Sequence, residues 1–325
     1  MKILAVDNDP FVLDFLSEMA AKADFPEIST AASGEVVLDM LRNENISFDC
    51  LLLDISLPGM DGIELCSLAR KIPAYSKIPI IILNARTERD FINRAFGAGA
   101  TDYVKKPLDI TVFQACLRMA KKLWTTLNET AAHATGIDGG ELPNADEHSF
   151  ALSHEISIHG IKYLIRYMAL ANYMNQIPEG DMVCSQVVGI KIDTIERIYT
   201  RASEEEFLYI LTQTADAISN TFRRYDYMMA YTGSGVFIVV AGKENLETSV
   251  ELEDKIQNLL DGKVFEYGNG ESLTISISVG NPVRLSKSRT QRVRNTFDRA
   301  IVRTESRVLR KHNVPRSRYM RLING

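Results

Sequence analysis

Residues 50–62 read CLLLDISLPGMDG: a short apolar run that stops at Asp54 and passes into a loop holding Pro58, Gly59 and Gly62. An apolar run of this length bounded by turn residues reads as a buried strand. The pattern recurs on either side. ILAVD (3–7) leads into FVLDFLSEMA (11–20), IELCSLARK (63–71) into IPIIIL (78–83), FINRAFGAGA (91–100) into DYVKKP (102–107), and a long helix is expected from about Ile110. Such strand–helix alternation implies a parallel sheet covered on both faces. Chemistry in these sheets gathers at the carboxyl ends of the strands. Asp7, Asp54 and Asn84 end three of the apolar runs, and Lys106 brings a cation to the same edge.

Carboxylates converging at one sheet edge repel each other and need a compensating cation, most simply Mg2+. A metal and a lysine beside an aspartate suit acceptance of a phosphoryl group, because charge on its oxygens is neutralised from two sides. VDNDP, LLLDISLPGMDG and DYVKKP at these separations resemble the receiver domain of two-component response regulators over about residues 1–123. The resemblance implies a flavodoxin-like, doubly wound fold with Asp54 as the phosphoacceptor. It also implies a Mg2+ site built from Asp7, Asn8, Asp54 and the backbone carbonyl of Ser56, with Asn84, Tyr103 and Lys106 as phosphoryl-contact and switch residues. Tyr103 is read two ways, as the aromatic that changes rotamer on phosphorylation or as an ordinary strand aromatic.

Two positions depart from the family pattern. Asn8 stands where a second acid is usual, which removes one charge from the metal pocket and weakens Mg2+ binding; Asp9, next in sequence, is expected to aim elsewhere. Asn84 replaces the usual threonine or serine. Its amide can donate to a phosphoryl oxygen, but its different shape blunts coupling to Tyr103.

The whole chain has 325 residues, 46% of them hydrophobic, enough for two domains with sizeable cores. With 37 basic and 42 acidic residues the net charge is -5, so bulk electrostatics give no case for nucleic acid. The segment holding Arg284, Lys287, Arg289, Arg292, Arg294, Arg299, Arg303, Arg307, Arg310 and Lys311 is strongly basic, read first as a solvated helix face. Cys50, Cys66, Cys116 and Cys184 lie far apart, which argues for a reducing compartment and against a disulfide or zinc framework. No apolar stretch approaches the roughly 18 residues of a membrane span, so a cytoplasmic protein with no membrane partner is expected. The histidines of HEISIH (154–159) are five apart, not the four a zinc-binding helix face needs, and are read as structural.

Residues 124–149, small, polar and glycine-containing, are expected to form a flexible linker. Beyond it the order of elements reads as an α/β (α+β) domain: an apolar segment, the strand VVGIKI, a helix from about Glu204 to Arg223, a hairpin around AYTGSGVFIVV (230–240), a helix, the strand LTISISVG and a basic final helix. With RRYD (223–226) before the hairpin, residues 150–325 resemble a GGDEF domain, the fold of diguanylate cyclases. The register places that family's signature turn on Thr232, Gly233, Ser234, Gly235 and Val236, where both acids are missing. A second metal carboxylate falls on Lys191, the guanine-reading asparagine and aspartate on Tyr199 and Leu208, and a phosphate-contacting lysine on Glu305. The resemblance therefore implies a degenerate domain without cyclase activity, since phosphoryl transfer depends on metal compensation of the triphosphate.

Arg223 and Asp226 match the family's inhibitory site for cyclic di-GMP, with Lys255 as a candidate helper; the alternative is a salt-bridged helix end. The expected protein is a cytoplasmic response regulator, phosphorylated by a sensor histidine kinase or phosphotransfer protein. It signals through a silent GGDEF-like domain by docking an output protein or a second copy as a homodimer. Cyclic di-GMP reception, or nucleic-acid binding through the basic helix, are the alternatives.

Overall fold

The structure, a computed structural model, describes residues 1–43, 45–85, 89–135, 148–156, 158, 160–176, 185–242, 246–285 and 292–312. The chain divides into two compact units, Met1–Gly140 and Glu141–Gly325. Expectations attached to His159, Cys184, Lys287, Arg289 and residues 136–147 fall outside the described residues.

In the first unit, β1 (Ile3–Val6), β2 (Ile28–Ala31), β3 (Cys50–Asp54), β4 (Ile80–Asn84) and β5 (Asp102–Lys105) form one parallel sheet in the order 2-1-3-4-5. They alternate with α1 (Pro10–Ala21), α2 (Gly34–Arg42), α3 (Gly62–Arg70), α4 (Arg89–Gly97) and α5 (Ile110–Thr135). Because side chains alternate across a strand, Ile3, Ala5, Leu52, Ile81 and Leu83 bury against Leu16, Met19 and Ala20 of α1 and Phe113 and Leu117 of α5. Helices α2, α3 and α4 pack in sequence on the other face. Asp9, Ser33 and Asp61 cap α1, α2 and α3 through their side chains, each satisfying backbone amides that a helix start leaves open.

β2 and α2 carry no signal in the sequence reading. The strand ISTA lies at the sheet edge with Ser29 and Thr30 exposed, so it has no apolar run to announce it. The linker expectation is corrected at both ends. Residues 124–135 continue α5, in keeping with an alanine-containing stretch that meets no glycine or proline before Gly136. At the other end His148 and Ser149 are docked: the His148 ring stacks on Tyr199 at 4.0 Å between centroids, and the Ser149 amide donates to Glu204 at 2.7 Å.

The second unit is built on an antiparallel sheet of β6 (Gln186–Ile192), β7 (Tyr227–Tyr231), β8 (Val236–Ala241), β9 (Ile277–Val279) and β10 (Val283–Arg284). Its order is β10-β6-β8-β7, with β9 also pairing to β6. The helices are α6 (Tyr167–Gln176), α7 (Ile195–Arg201), α8 (Glu204–Phe222), α9 (Ser249–Asp261) and α10 (Arg292–Lys311). Apolar stripes of α8 (Phe207, Ile210, Leu211, Ile218) and α9 (Leu252, Ile256, Leu260) bury against Val188, Ile190, Met229 and Phe237 of the sheet. α10 packs on the other side of β6, so closely that a Cβ at Gly189 would run into Thr304. Capping boxes start α8 (Ser203 with Glu206) and α9 (Thr248 with Glu251). The expected strand LTISISVG shortens to Ile277–Val279, because the Gln257 side-chain amide takes the Ile275 carbonyl at 2.8 Å and the Ile277 amide at 3.2 Å. Among the described residues, no helix is long and apolar enough to cross a membrane.

Burial pushes the phenols of Tyr227 and Tyr231 on β7 up to about 12, although hydrogen bonds from Ser219 and from the Gly235 amide pull in the other direction. An unfolded tyrosine titrates near ~10. The stability these neutral phenols carry is therefore complete below about pH 10 and is lost as pH rises through the folded values. The thermal midpoint should fall between about pH 10 and pH 12, and Tyr227→Phe combined with Tyr231→Phe should flatten that fall. An unchanged alkaline slope in the double variant would count against this assignment.

Candidate functional site

The strand order 2-1-3-4-5 reverses direction between β1 and β3, and open α/β sheets bind ligands at that crevice. β1 and β3 end there in Asp7 and Asp54, both almost fully buried. β5 ends beside them, and Lys106 reaches across: its Nζ lies 2.5 Å from Asp7 Oδ2 and 2.5 Å from Asp54 Oδ1. Sequence separations of 99 and 52 residues are thereby closed by two salt bridges. The Lys106 backbone amide donates to the Asn84 carbonyl at 2.7 Å, which fixes the chain just past β5. Burial works to lower the Lys106 pKa, but hydrogen bonds and charge from Asp54 and Asp7 outweigh it and hold the ammonium above its ordinary value.

The loop after Asp54 wraps its carboxylate. The Ser56 amide donates to Asp54 Oδ2 at 2.7 Å, and Gly62 opens α3 so close that a Cβ there would collide with the Asp54 carbonyl oxygen. Gly62 thus has a steric reason to follow Asp61, which the sequence alone did not reveal. The loop tip is held from α2, where Glu35 Oε1 accepts the Met60 amide at 2.9 Å. No sequence signal marks Glu35, since only the fold brings residues 25 apart together.

The other expected residues are placed as follows. Asn8 is exposed beside Asp7. The Asp9 side chain accepts from the Phe11 amide at 2.9 Å, so capping α1 is what turns it away from the pocket. Asn84 is fully buried at the end of β4, and the Tyr103 side chain is buried in β5 opposite Ile82. Among the described residues no three carboxylate, histidine or cysteine side chains cluster as a metal site. Mg2+ does not require such a cluster, because it keeps several waters and takes hard oxygen donors. Asp7, Asp54 and the Ser56 carbonyl supply donors of that type, so the residues present fit the ion. When bound, it would offset charge on a phosphoryl group attached to Asp54. Lys106 supplies the second positive group from the β5 side.

In the second unit the turn between β7 and β8 is closed by the Thr232 amide to the Val236 carbonyl at 2.9 Å and the Val236 amide to the Gly233 carbonyl at 3.0 Å. Gly233, Ser234 and Gly235 all have positive φ (92°, 49° and 72°), a conformation that glycine adopts at little cost. A Cβ at Gly233 would strike the Ser153 carbonyl, and the Ser234 amide donates to the Leu152 carbonyl at 2.8 Å. The chain's own residues 152–153 therefore lie on the turn. Lys191, 2% exposed, pairs in register with Val236 and lies 3.6 Å from Glu196 Oε1. Burial raises the Glu305 carboxyl above its ordinary pKa, Lys191 pulls it back and Glu196 adds to the rise. Tyr199 stacks on His148, and its hydroxyl donates to the Phe150 carbonyl.

Arg223 and Asp226 are both exposed where α8 passes into β7. Lys255, the expected helper, has its ammonium on both Glu247 carboxylate oxygens, at 2.6 and 2.7 Å, and Glu247 also pairs with Arg224.

Residues 3–118 match the response regulator receiver domain family. The chain is similar to the transcriptional regulatory protein YvrH of Bacillus subtilis, 31% identical over 133 residues, which cover 41% of this chain and 54% of that protein. It is similar to the heme response regulator HssR of Staphylococcus epidermidis, 37% identical over 107 residues, 33% of this chain and 45% of that protein. The chain thus spans about half the length of these curated relatives. Among solved structures, the chemotaxis response regulator CheY4 of Vibrio cholerae is 27% identical, covering 37% of this chain and 97% of that one, with a TM-score of 0.34. The family match covers the strands and helices that bring Asp7, Asp54 and Lys106 together, and the N-terminal unit is a response regulator receiver domain.

Proposed function

We propose that the chain is a cytoplasmic two-component response regulator phosphorylated on Asp54, and that its second unit is a catalytically silent GGDEF-like domain acting through protein–protein interaction. The observation that carries the first part is the Lys106 ammonium held at 2.5 Å from both Asp7 and Asp54, beside the Ser56 amide. A receiver implies a histidine kinase or phosphotransfer protein as the phosphoryl donor.

Support for a silent output comes from three features of the second unit. Lys191 occupies a buried position where the cyclase reading calls for a metal carboxylate, so a divalent cation does not fit there. Residues 152–153 lie directly against the TGSG turn, which holds no acidic side chain. Tyr199, at a guanine-reading position of the family, is stacked against His148 and bonded to Phe150. Lys191 and Glu305 together read as a charge exchange: the acid of the family became a base, the base an acid, and the two remain coupled.

Cyclic di-GMP reception at Arg223 and Asp226 is a second reading, favoured by the exposure of both residues at one helix end. Nucleic-acid binding is a third, and the relatives named as transcriptional regulatory proteins are its support. Three basic side chains of α10 are engaged internally, however. Arg303 donates to the Pro282 carbonyl, Arg307 pairs with Glu253 at 2.9 Å, and Lys311 donates to the Ile277 carbonyl at 2.8 Å.

A small-molecule phosphodonor with Mg2+ should phosphorylate the protein on Asp54, and mass spectrometry should find no phosphoryl group in Asp54→Ala. Asn8→Asp adds a carboxylate ligand and should lower the Mg2+ concentration needed by about threefold to tenfold. Phosphorylation persisting in Asp54→Ala would sink the assignment.

Incubation with GTP and Mg2+ should yield no cyclic di-GMP by chromatography, with or without phosphorylation. Calorimetry decides the receptor reading: charge-assisted contacts of about 1.5–3 kcal/mol each mean that Arg223→Ala should weaken cyclic di-GMP binding by about tenfold or more. No heat at high micromolar cyclic di-GMP would leave protein docking as the output.

A further inference from the structure

Among the ties on the loop that carries Ser56, which include the Arg94–Asp61 ion pair at 3.7 Å, three set its start, end and tip, and only two of these belong to the phosphorylation site. Its start is fixed by the Ser56 amide on Asp54 and its end by Gly62 against the Asp54 carbonyl oxygen. The third tie is at the tip, on the far side from Asp54. There the Glu35 carboxylate accepts the Met60 amide at 2.9 Å, and a Cβ added at Gly34 would come to 3.0 Å from the Met60 carbonyl oxygen. Gly59, with φ 74°, passes directly under the same carboxylate. The start of α2 and the tip of the β3–α3 loop are therefore in backbone-to-backbone contact, with one charged side chain closing it.

Glu35 is exposed, and its carboxyl is held below the usual range by hydrogen bonds from its own backbone amide and from Met60. A long side chain at the first turn of a helix loses rotamer freedom when it holds one acceptor geometry, a cost the contact has to offset. What it holds here is Met60, in the same loop as Ser56 and between it and the start of α3. Neither Gly34 nor Gly59 contributes a side chain to that task.

We infer that Glu35 is a positioning residue for the phosphorylation site: by holding Met60 it preorganises the Ser56 backbone that binds the metal. This rests on the receiver-site reading above. Glu35 touches neither the metal nor the phosphoryl group, and its effect passes through the loop alone. A glutamine at this position can still accept the Met60 amide, whereas an alanine cannot. The hydrogen bond and the negative charge are thereby separable.

The test uses the full chain and reads Mg2+ binding by calorimetry, together with amide hydrogen exchange of Ser56 and Met60 in the metal-free protein. Glu35→Ala should weaken Mg2+ binding by about threefold to tenfold, the range expected for one lost hydrogen bond, and should speed exchange at Met60 and Ser56. Glu35→Gln should stay within about twofold of wild type in both. Equal weakening in the alanine and glutamine variants would show that charge, not the hydrogen bond, is responsible, and would overturn the inference. So would wild-type Mg2+ affinity in Glu35→Ala. If Glu35→Ala does not fold, Glu35→Asp, whose shorter arm falls short of Met60, carries the same expectations. A wild type that binds no Mg2+ would remove the site reading and this inference together, whereas normal wild-type binding with an indifferent Glu35→Ala removes only the inference.

Discussion

Everything in the first unit is arranged so that one ammonium can stand between two buried carboxylates. Asp7 and Asp54 sit on neighbouring parallel strands, and like charges at that separation repel strongly away from water. Lys106 converts the repulsion into two charge-assisted hydrogen bonds, and it can do so only if β5 lies at the right end of the sheet with its carboxyl end at the same edge. The helices contribute indirectly. α1 is capped by Asp9, which turns that acid away, and α3 is opened by Gly62 directly on the Asp54 backbone.

The second unit uses buried charge differently. Lys191 lies inside the fold near Glu196 and Glu305, and the Asp193 carboxylate, also buried, takes hydrogen bonds from Ser276 and His312 and a salt bridge from Lys311. These contacts tie α10 to β6 and the segment before β9. Removing one partner from such a group leaves an uncompensated buried charge, which is more costly than the pair is stabilising. A segment rich in arginine can thus carry structural contacts, with Arg307 and Lys311 in ion pairs and Arg303 on the Pro282 carbonyl.

How much of this was legible in the sequence depends on the length scale of the signal. CLLLD, IPIIIL and the long helix from Ile110 announced themselves by local periodicity, and the motif spacing around Asp54 and Lys106 pointed to the site they form. β2 was invisible because an edge strand with two exposed hydroxyl residues has no apolar pattern. The stretch 124–135 was misread because small residues suit both linkers and helices, and alanine favours the latter. The Lys255–Glu247 pair was not legible either, because Glu247 lies on a loop whose path no composition reveals. Glu35 and Gly62 act through contacts that exist only once the sheet is formed.

The Ser153 carbonyl resting on Gly233 makes the shape of the TGSG turn a property of the main chain as well as of the side chains. The segment crossing the turn is held by the Ser234 amide on the Leu152 carbonyl and by Phe150, Leu152 and Ile156, which pack against the hydrophobic core. Gly235 faces a similar limit, since a side chain there would come to 2.8 Å from Ile195. Side chains at 233 or 235 therefore demand movement of residues 152–153 or of Ile195, so the turn and the segment that crosses it can change only together.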